Sequence, residues 1–269
     1  MNVGFIGTGS MGSILIESLI HTGALRPDEI IASNRTSGKI DHLTEHFIGL
    51  RKASTNIEVV QHCEIIFLCI KPSDFKAVIN EIKPFVQASQ IVISITSPIT
   101  IAYLEDQLSS KIAKIIPSIT NYVLSGSTLC IYGERLLKED MVHLEHLLKH
   151  ISEPIRVAEQ FTRISSDISS CGPAFFALIL LKFIRAAVEE TGFNYADANL
   201  LACEMLLGTG KLLTSGGFTP GELQKRVAVP GGITAEGLKL LDQKLDGVFN
   251  QLFQITHAKF IEDMTKVNH

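Results

Sequence analysis

The chain has no run of about eighteen uncharged apolar residues, so no membrane span is expected. Its most apolar stretch, Ala174–Ile184, is interrupted by Lys182 and followed by Arg185, Glu189 and Glu190, and reads as a buried helix. A basic excess is also missing. The formal net charge is −4, which leaves no surplus of cations to displace counterions from a nucleic-acid backbone. The five cysteines are odd in number and form no C-x-x-C pair. This argues for free thiols in a reducing cytoplasm rather than a disulfide framework. The opening residues Met1 to Gly7 already read as strand and turn, so no signal peptide is expected. Internal repeats and low-complexity segments are absent as well.

What is present is ample core. At 269 residues, with 46% hydrophobic and 19% charged, the chain can build two ordinary globular domains. Seven β-branched runs read as strands: Val3–Ile6, Glu29–Ser33, Glu64–Ile70, Gln90–Ile95, Ile112–Ile116, Ser127–Tyr132 and Ile155–Val157. Most are apolar on both faces, as parallel strands covered on both sides should be. Helical patterns such as Met11–His21, Asp74–Val86 and Lys138–His150 lie between them. The alternation predicts a doubly wound α/β sheet over residues 1–160.

From Ile164 onward no strand pattern appears. Helices are expected over Pro173–Thr191, Tyr195–Ser215, Pro220–Val227 and Thr234–Lys266, making 161–269 an all-α domain. Thr219-Pro220-Gly221-Glu222 starts one of them with a capping threonine, a first-turn proline and an answering glutamate. The last predicted helix carries Leu238, Leu241, Leu245, Val248, Leu252 and Ile255 at spacings of three and four. That stripe can pack on its own domain or on a second subunit.

Gly7-Thr8-Gly9-Ser10-Met11-Gly12 follows the first strand and opens a helix, which makes the G-x-G-x-x-G pattern a dinucleotide-binding fingerprint. Gly7 permits the turn, Gly9 lets the backbone approach a pyrophosphate, and Gly12 lets helix and strand pack closely. The helix start offers N–H groups and positive dipole to the phosphates. The second strand ends in Ala32-Ser33-Asn34-Arg35-Thr36-Ser37, with no acid to accept from the ribose hydroxyl of NAD. Asn34, Arg35, Thr36 and Ser37 can instead hold a 2′-phosphate, so NADP(H) is expected, with NADPH preferred over NADH. Lys71, after the strand ending at Ile70, either lines the cofactor channel or is a surface lysine in a turn.

Several dehydrogenase families share this layout. The β-hydroxyacid dehydrogenases place a general-base lysine four residues after a glycine on the first long helix. Here Gly172 is followed by Pro173, Ala174, Phe175 and Phe176, so that base is absent. Over nearly its whole length the sequence resembles the pyrroline-5-carboxylate reductases. The resemblance is carried by the glycine loop, Asn34-Arg35, Asn56, Ile70-Lys71-Pro72, Ser169 through Phe175, and Pro230-Gly231-Gly232-Ile233-Thr234. It implies reduction of a cyclic imine, 1-pyrroline-5-carboxylate, to L-proline by NAD(P)H. It also implies a homodimer or higher homo-oligomer formed through the helical domain. By the same resemblance Asn56, Ile70, Lys71 and Pro72 join the cofactor site, and Cys171 and Thr234 fall at the catalytic positions. Gly231, Gly232, Ile233 and Thr234 would bind substrate, their turn offering helix N–H groups to a carboxylate.

Four departures from the family cluster at the reacting end. Ser170-Cys171 replaces a glycine and a serine, Ser118-Ile119-Thr120 replaces Asn-Thr-Pro, Thr96-Ser97-Pro98 replaces Ala-Ala-Gly, and Val229 stands where a small hydroxyl residue is common. The combination is similar to a regulatory paralogue within the family, which implies a developmental role in sporulation, competence or biofilm formation with weak, altered or no proline-forming activity. No metal is expected. His42-Leu43-Thr44-Glu45-His46 fits a zinc-peptidase spacing without an evident third ligand, and His143, His146 and His150 read as a solvated helix face.

Overall fold

The computed structural model describes residues 1–36 and 38–267. Contacts divide the chain into two compact units: Met1–Pro173 with the chain from Thr256 onward, and Ala174–Ile255.

The first unit is built on eight strands: β1 (Val3–Ile6), β2 (Ile30–Ser33), β3 (Arg51–Lys52), β4 (Ile65–Leu68), β5 (Ile91–Ser94), β6 (Lys111–Ile116), β7 (Ser127–Tyr132) and β8 (Glu153–Arg156). They form one sheet in the order β3-β2-β1-β4-β5-β6-β7-β8. All neighbours run parallel except β6 and β7. The order reverses between β1 and β4, the switch point at which such sheets bind ligands beyond their carboxyl ends. The seven expected strands are present: β1 and β7 with the expected ends, β2, β4 and β5 trimmed, β6 longer by Lys111, and β8 shifted toward its N-terminus to Glu153–Arg156; β3 is the addition. Its two residues are both exposed and carry no apolar pattern that could have announced it.

Helices cover both faces: α1 (Ser10–His21), α2 (Gly38–His46), α3 (Asn56–His62), α4 (Phe75–Ile82), α5 (Ile101–Gln107) and α6 (Lys138–Lys149). β1, β2, β4 and β5 are buried at every position. Their alternate side chains feed two separate apolar cores, Phe5 and Phe67 on one face and Ile6, Ile66 and Leu68 on the other. The Phe5 and Phe67 rings stack at 4.9 Å.

After the sheet come α7 (Thr162–Ser166), one π-helical turn at Asp167–Cys171, and α8 (Gly172–Thr191). Then follow α9 (Tyr195–Thr214), α10 (Pro220–Val227), α11 (Ile233–Leu245) and α12 (Val248–Val267). Two expectations are corrected here. The single helix predicted over Thr234–Lys266 is two, because Asp246 leaves helical geometry at ψ 125° and Gly247 takes φ +73°. The stretch Ala174–Ile184 is not buried within the chain, since only Ile184 among its residues is inaccessible. The helical run Glu159–Thr191 is also long and apolar enough, by length and composition, to cross a membrane. The second unit buries little of itself: Ile184, Ala198 and Ala202 form its core, with Leu180 and Val188 packed alongside.

Candidate functional site

The glycine turn has the geometry its residues require. Gly7 sits at φ +101°, and a Cβ there would come within 2.4 Å of the Cys69 carbonyl oxygen. A Cβ on Gly12 would lie 2.3 Å from the Gly7 oxygen. Gly9 differs: a Cβ there would meet no protein atom within 4 Å. Gly9 caps α1 without any side-chain cap, and no acid stands in the helix's first turn. The open N–H groups of Ser10 and Met11 therefore face outward with the dipole's positive end. Thr8 is buried, and its hydroxyl has no partner among the described residues.

A cleft of about 480 Å³ opens beside this turn, within the range of small-molecule sites. Gly7, Gly9, Asn34, Arg35 and Thr36 line it from the β1 and β2 ends. Asn56, Ile70 and Lys71 line it from α3 and the β4 end. Thr8, Ser10, Met11, Gly12 and Pro72 belong to the same turns without lining the cleft. Ser37 lies outside the described residues.

Several side chains here serve the loops rather than the cavity. The Asn34 amide oxygen accepts from the Thr8 N–H at 3.0 Å, and its nitrogen donates to the Thr36 carbonyl at 2.8 Å. Asn34 thus binds the glycine turn to the end of β2. Asn56 accepts from the Ser33 hydroxyl at 2.7 Å and donates to Glu81 Oε2 at 2.7 Å. Arg35 is exposed, with its Nη1 3.5 Å from Asp74 Oδ1. Lys39, Asp74 and Glu81 also line the cleft and were not singled out in the sequence. Asp74 opens the expected helix Asp74–Val86, but its charge signals nothing until the fold brings the turn after β4 beside the turn after β2.

Three of the four departures from the family pattern meet at the carboxyl edge of β5 and β6. Ser118 is buried and donates from Oγ to the Ser169 carbonyl at 2.8 Å, while Ser170 Oγ donates to the Pro117 carbonyl at 3.0 Å. These two bonds fasten the loop after β6 to the π turn. Asn121 Oδ1 accepts from the Ser118 N–H at 2.8 Å and from the Thr128 hydroxyl at 3.2 Å. The loop after β5 is held separately. Lys114, fully buried on β6, donates to the Ser97 carbonyl at 3.3 Å and to Glu159 Oε1 at 2.7 Å. Glu159 Oε1 also accepts from the Ile101 N–H at 2.9 Å. Burial lowers the Lys114 ammonium below the ordinary lysine value, and Glu159 opposes that shift.

Cys171 closes the π turn, half-buried, with Arg163 Nη2 donating to its Sγ at 3.3 Å. The same Arg163 nitrogen lies 2.7 Å from Asp167 Oδ1, and Asp167 Oδ2 accepts from the Thr256 hydroxyl at 2.7 Å. In the second unit Gly231 takes φ +72° and Gly232 caps α11, accepting from Ala235 and Glu236 N–H groups. Thr234 is exposed in the first turn of α11 and is not its cap, and Ile233 is 95% exposed. Val229 Cγ2 packs against Gly232, where a Cβ would lie 2.8 Å away. Among the described residues no three metal-ligating side chains converge, His42 and His46 included.

A mostly parallel sheet, a glycine turn opening the first helix and a cleft at the switch point define the class: a Rossmann-type dinucleotide-binding protein. Residues 2–98 match the family model described as NADP oxidoreductase coenzyme F420-dependent, and residues 159–262 match the model for pyrroline-5-carboxylate reductase dimerisation. The chain is 40% identical to ComE operon protein 4 of Bacillus subtilis (strain 168), over 99% of this chain and 98% of that protein. It is 26% identical to pyrroline-5-carboxylate reductase 3 of the same organism, over 96% and 95% of the two chains. A solved pyrroline-5-carboxylate reductase from Coxiella burnetii superposes with a TM-score of 0.86 at 26% identity, covering 99% of this chain and 98% of that one. The chain belongs to the pyrroline-5-carboxylate reductase family. By family it is an NADP-linked oxidoreductase whose helical half carries a homo-oligomerisation domain.

Proposed function

We propose that this protein reduces a cyclic imine, 1-pyrroline-5-carboxylate or a close analogue, with NADPH preferred over NADH. The observation that carries the reading is Gly9. It is kept free of side chain at a place where the protein itself leaves room for one. A ligand's pyrophosphate accounts for that requirement.

When bound, the reduced nicotinamide supplies the hydride. The chain's own task is to bind and align. The first turn of α1 and the orphaned Thr8 hydroxyl suit the diphosphate, and Arg35 suits a 2′-phosphate. Asn34 and Asn56 keep the loops at the ends of β1 and β2 in place. Lys71 joins the cleft wall, and Ile70 and Pro72 shape the turn that bears it. A protonated imine is already electrophilic, so hydride delivery needs little acid–base machinery. The Gly231-Gly232-Ile233-Thr234 turn supplies N–H groups to a carboxylate and Thr234 a hydroxyl near the imine nitrogen. Cys171 takes the second catalytic position, beside a guanidinium. We assign residues 1–160 to the nucleotide domain and 161–269 to the substrate and dimerisation domain, in support of which no described strand follows Arg156. Five free thiols support a cytoplasmic setting.

The test is NADPH oxidation by the purified protein with pyrroline-5-carboxylate. Turnover that yields proline is expected, and none at high enzyme concentration removes the reading. A second reading, a cofactor-binding developmental regulator with weak or altered catalysis, is favoured by one comparison. Identity is 40% to ComE operon protein 4 but 26% to a reductase of the same organism. Rescue of a proline auxotroph by this gene would count against it.

A further inference from the structure

The nucleotide cleft carries charge of both signs. Arg35 follows β2, and its side chain is 87% exposed; its Nη1 lies 3.5 Å from Asp74 Oδ1, whose side chain is 33% exposed. Asp74 ends the short turn Pro72–Asp74 after β4 and stands directly before α4. An aspartate at that place ordinarily caps the helix with its carboxylate, but Asp74 makes no such bond. Glu81, the other cleft carboxylate, is engaged by Asn56. The Asp74 carboxylate therefore faces Arg35 across the cleft rim, with Lys39 and Lys71 as the further cations there.

We propose that Asp74 is a specificity-determining residue, which competes with a nucleotide 2′-phosphate for Arg35 and holds down the preference for NADPH over NADH. The proposal rests on the reading of this cleft as the nucleotide site. A 2′-phosphate brings close to two negative charges to the guanidinium that Asp74 already neutralises in part. Its gain from Arg35 is reduced by the ion pair it must share, and its charge is repelled by the carboxylate beside it. NADH lacks that phosphate and meets neither effect. Asp74 thus acts on one nucleotide and spares the other, which separates it from a residue that merely shapes the cleft.

The experiment is titration calorimetry of the intact protein with NADPH and with NADH at low salt. Wild type, Asp74→Asn, Arg35→Ala and the double variant are compared, with melting curves as the folding check. Asp74→Asn is expected to tighten NADPH by about two- to fivefold, the scale of an exposed ion pair, and to leave NADH unchanged. The gain shrinks as salt rises and is smaller in the Arg35→Ala background, where only the direct repulsion remains. Equal gains for both nucleotides, weaker NADPH binding, or a gain undiminished by Arg35→Ala each overturn the proposal. If wild type binds both nucleotides and the variant leaves their ratio unchanged, the proposal alone fails. If wild type binds neither, the reading of the cleft falls and the proposal with it.

Discussion

Gly7 and Gly9 stand two residues apart in one turn, yet the fold demands them for different reasons. Gly7 has a positive φ and a carbonyl 2.4 Å from where a Cβ would sit, so its glycine is required by the protein. Gly9 lies at φ −73° and ψ −171°, a region open to alanine, with no protein atom near its Cβ. Gly7→Ala is therefore expected to destabilise folding by more than about 1 kcal/mol. Gly9→Ala is expected to leave stability within about 0.5 kcal/mol while weakening NADPH about tenfold or more, by blocking the backbone from the diphosphate. Urea unfolding read beside calorimetric NADPH binding separates the two. A Gly9→Ala protein that binds NADPH normally would sink the assignment of this turn to the cofactor. Both glycines and their separate tasks, Gly7 for the turn and Gly9 for the approach of a pyrophosphate, were legible from the motif, but the distinction between a position where the protein itself forbids a side chain and one where it leaves room was not. That distinction depends on where the Cys69 carbonyl lies, and strand β4 places it there from sixty residues away along the chain.

At the scale of elements, the sheet was readable because strands covered on both faces are apolar at every position, as in β1, β2, β4 and β5. The short exposed β3 escaped because edge pairing needs backbone partners and no side-chain pattern. The break between α11 and α12 escaped because the leucine stripe keeps its spacing across Asp246-Gly247, so periodicity hides a turn set by the backbone. The reacting-end departures were legible as substitutions but not as a network: the bonds from Ser118 to Ser169 and Ser170 to Pro117 span about fifty residues. Polar pairs also tie elements together elsewhere. Lys111 at the start of β6 lies 2.7 Å from Asp140, which accepts from the Leu137 N–H at 2.8 Å and so caps α6. Partial burial raises the Asp140 carboxyl, but Lys111 and the Leu137 amide outweigh it and hold the group below the usual aspartate value. The folded state thus favours the charged form more than the unfolded chain does. The stability this lends is present above the unfolded-state value near 3.8 and is lost as pH falls through the lower folded-state value. Asp140→Asn is expected to cost about 1 kcal/mol at neutral pH and nothing once the wild-type carboxyl is protonated. Urea unfolding from neutral pH downward checks this, and parallel acid limbs for the two proteins would contradict it.

At the scale of the whole molecule, the helical unit poses a problem that a single chain leaves open. Its own core is three residues with two neighbours, while Phe176, Phe183, Leu200 and Leu201 are 56–63% exposed. The α11–α12 stripe was open between its own domain and a second subunit. Leu241 at 52%, Val248 at 45% and Ile255 at 70% exposure are not covered within the chain. So many apolar side chains in water would leave this unit with too little burial to offset the entropy of ordering it. The match of residues 159–262 to a dimerisation model makes a second copy of the chain the expected cover. Such a cover would account for the apolar composition of Glu159–Thr191 without a lipid phase. If folding of the helical unit is completed by association, stability depends on protomer concentration. The melting temperature is then expected to rise with protein concentration in detergent-free buffer, and light scattering to give at least twice the chain mass. Phe183→Glu places an uncompensated charge in the covered face and is expected to shift the mass toward the monomer and remove the concentration dependence. Gly9→Ala, remote in role, is expected to leave both unchanged. A wild-type protein that melts at one temperature at every concentration and scatters as one chain would refute the account. The exposed apolar helices would then need another cover, and recovery only in detergent would identify it as lipid.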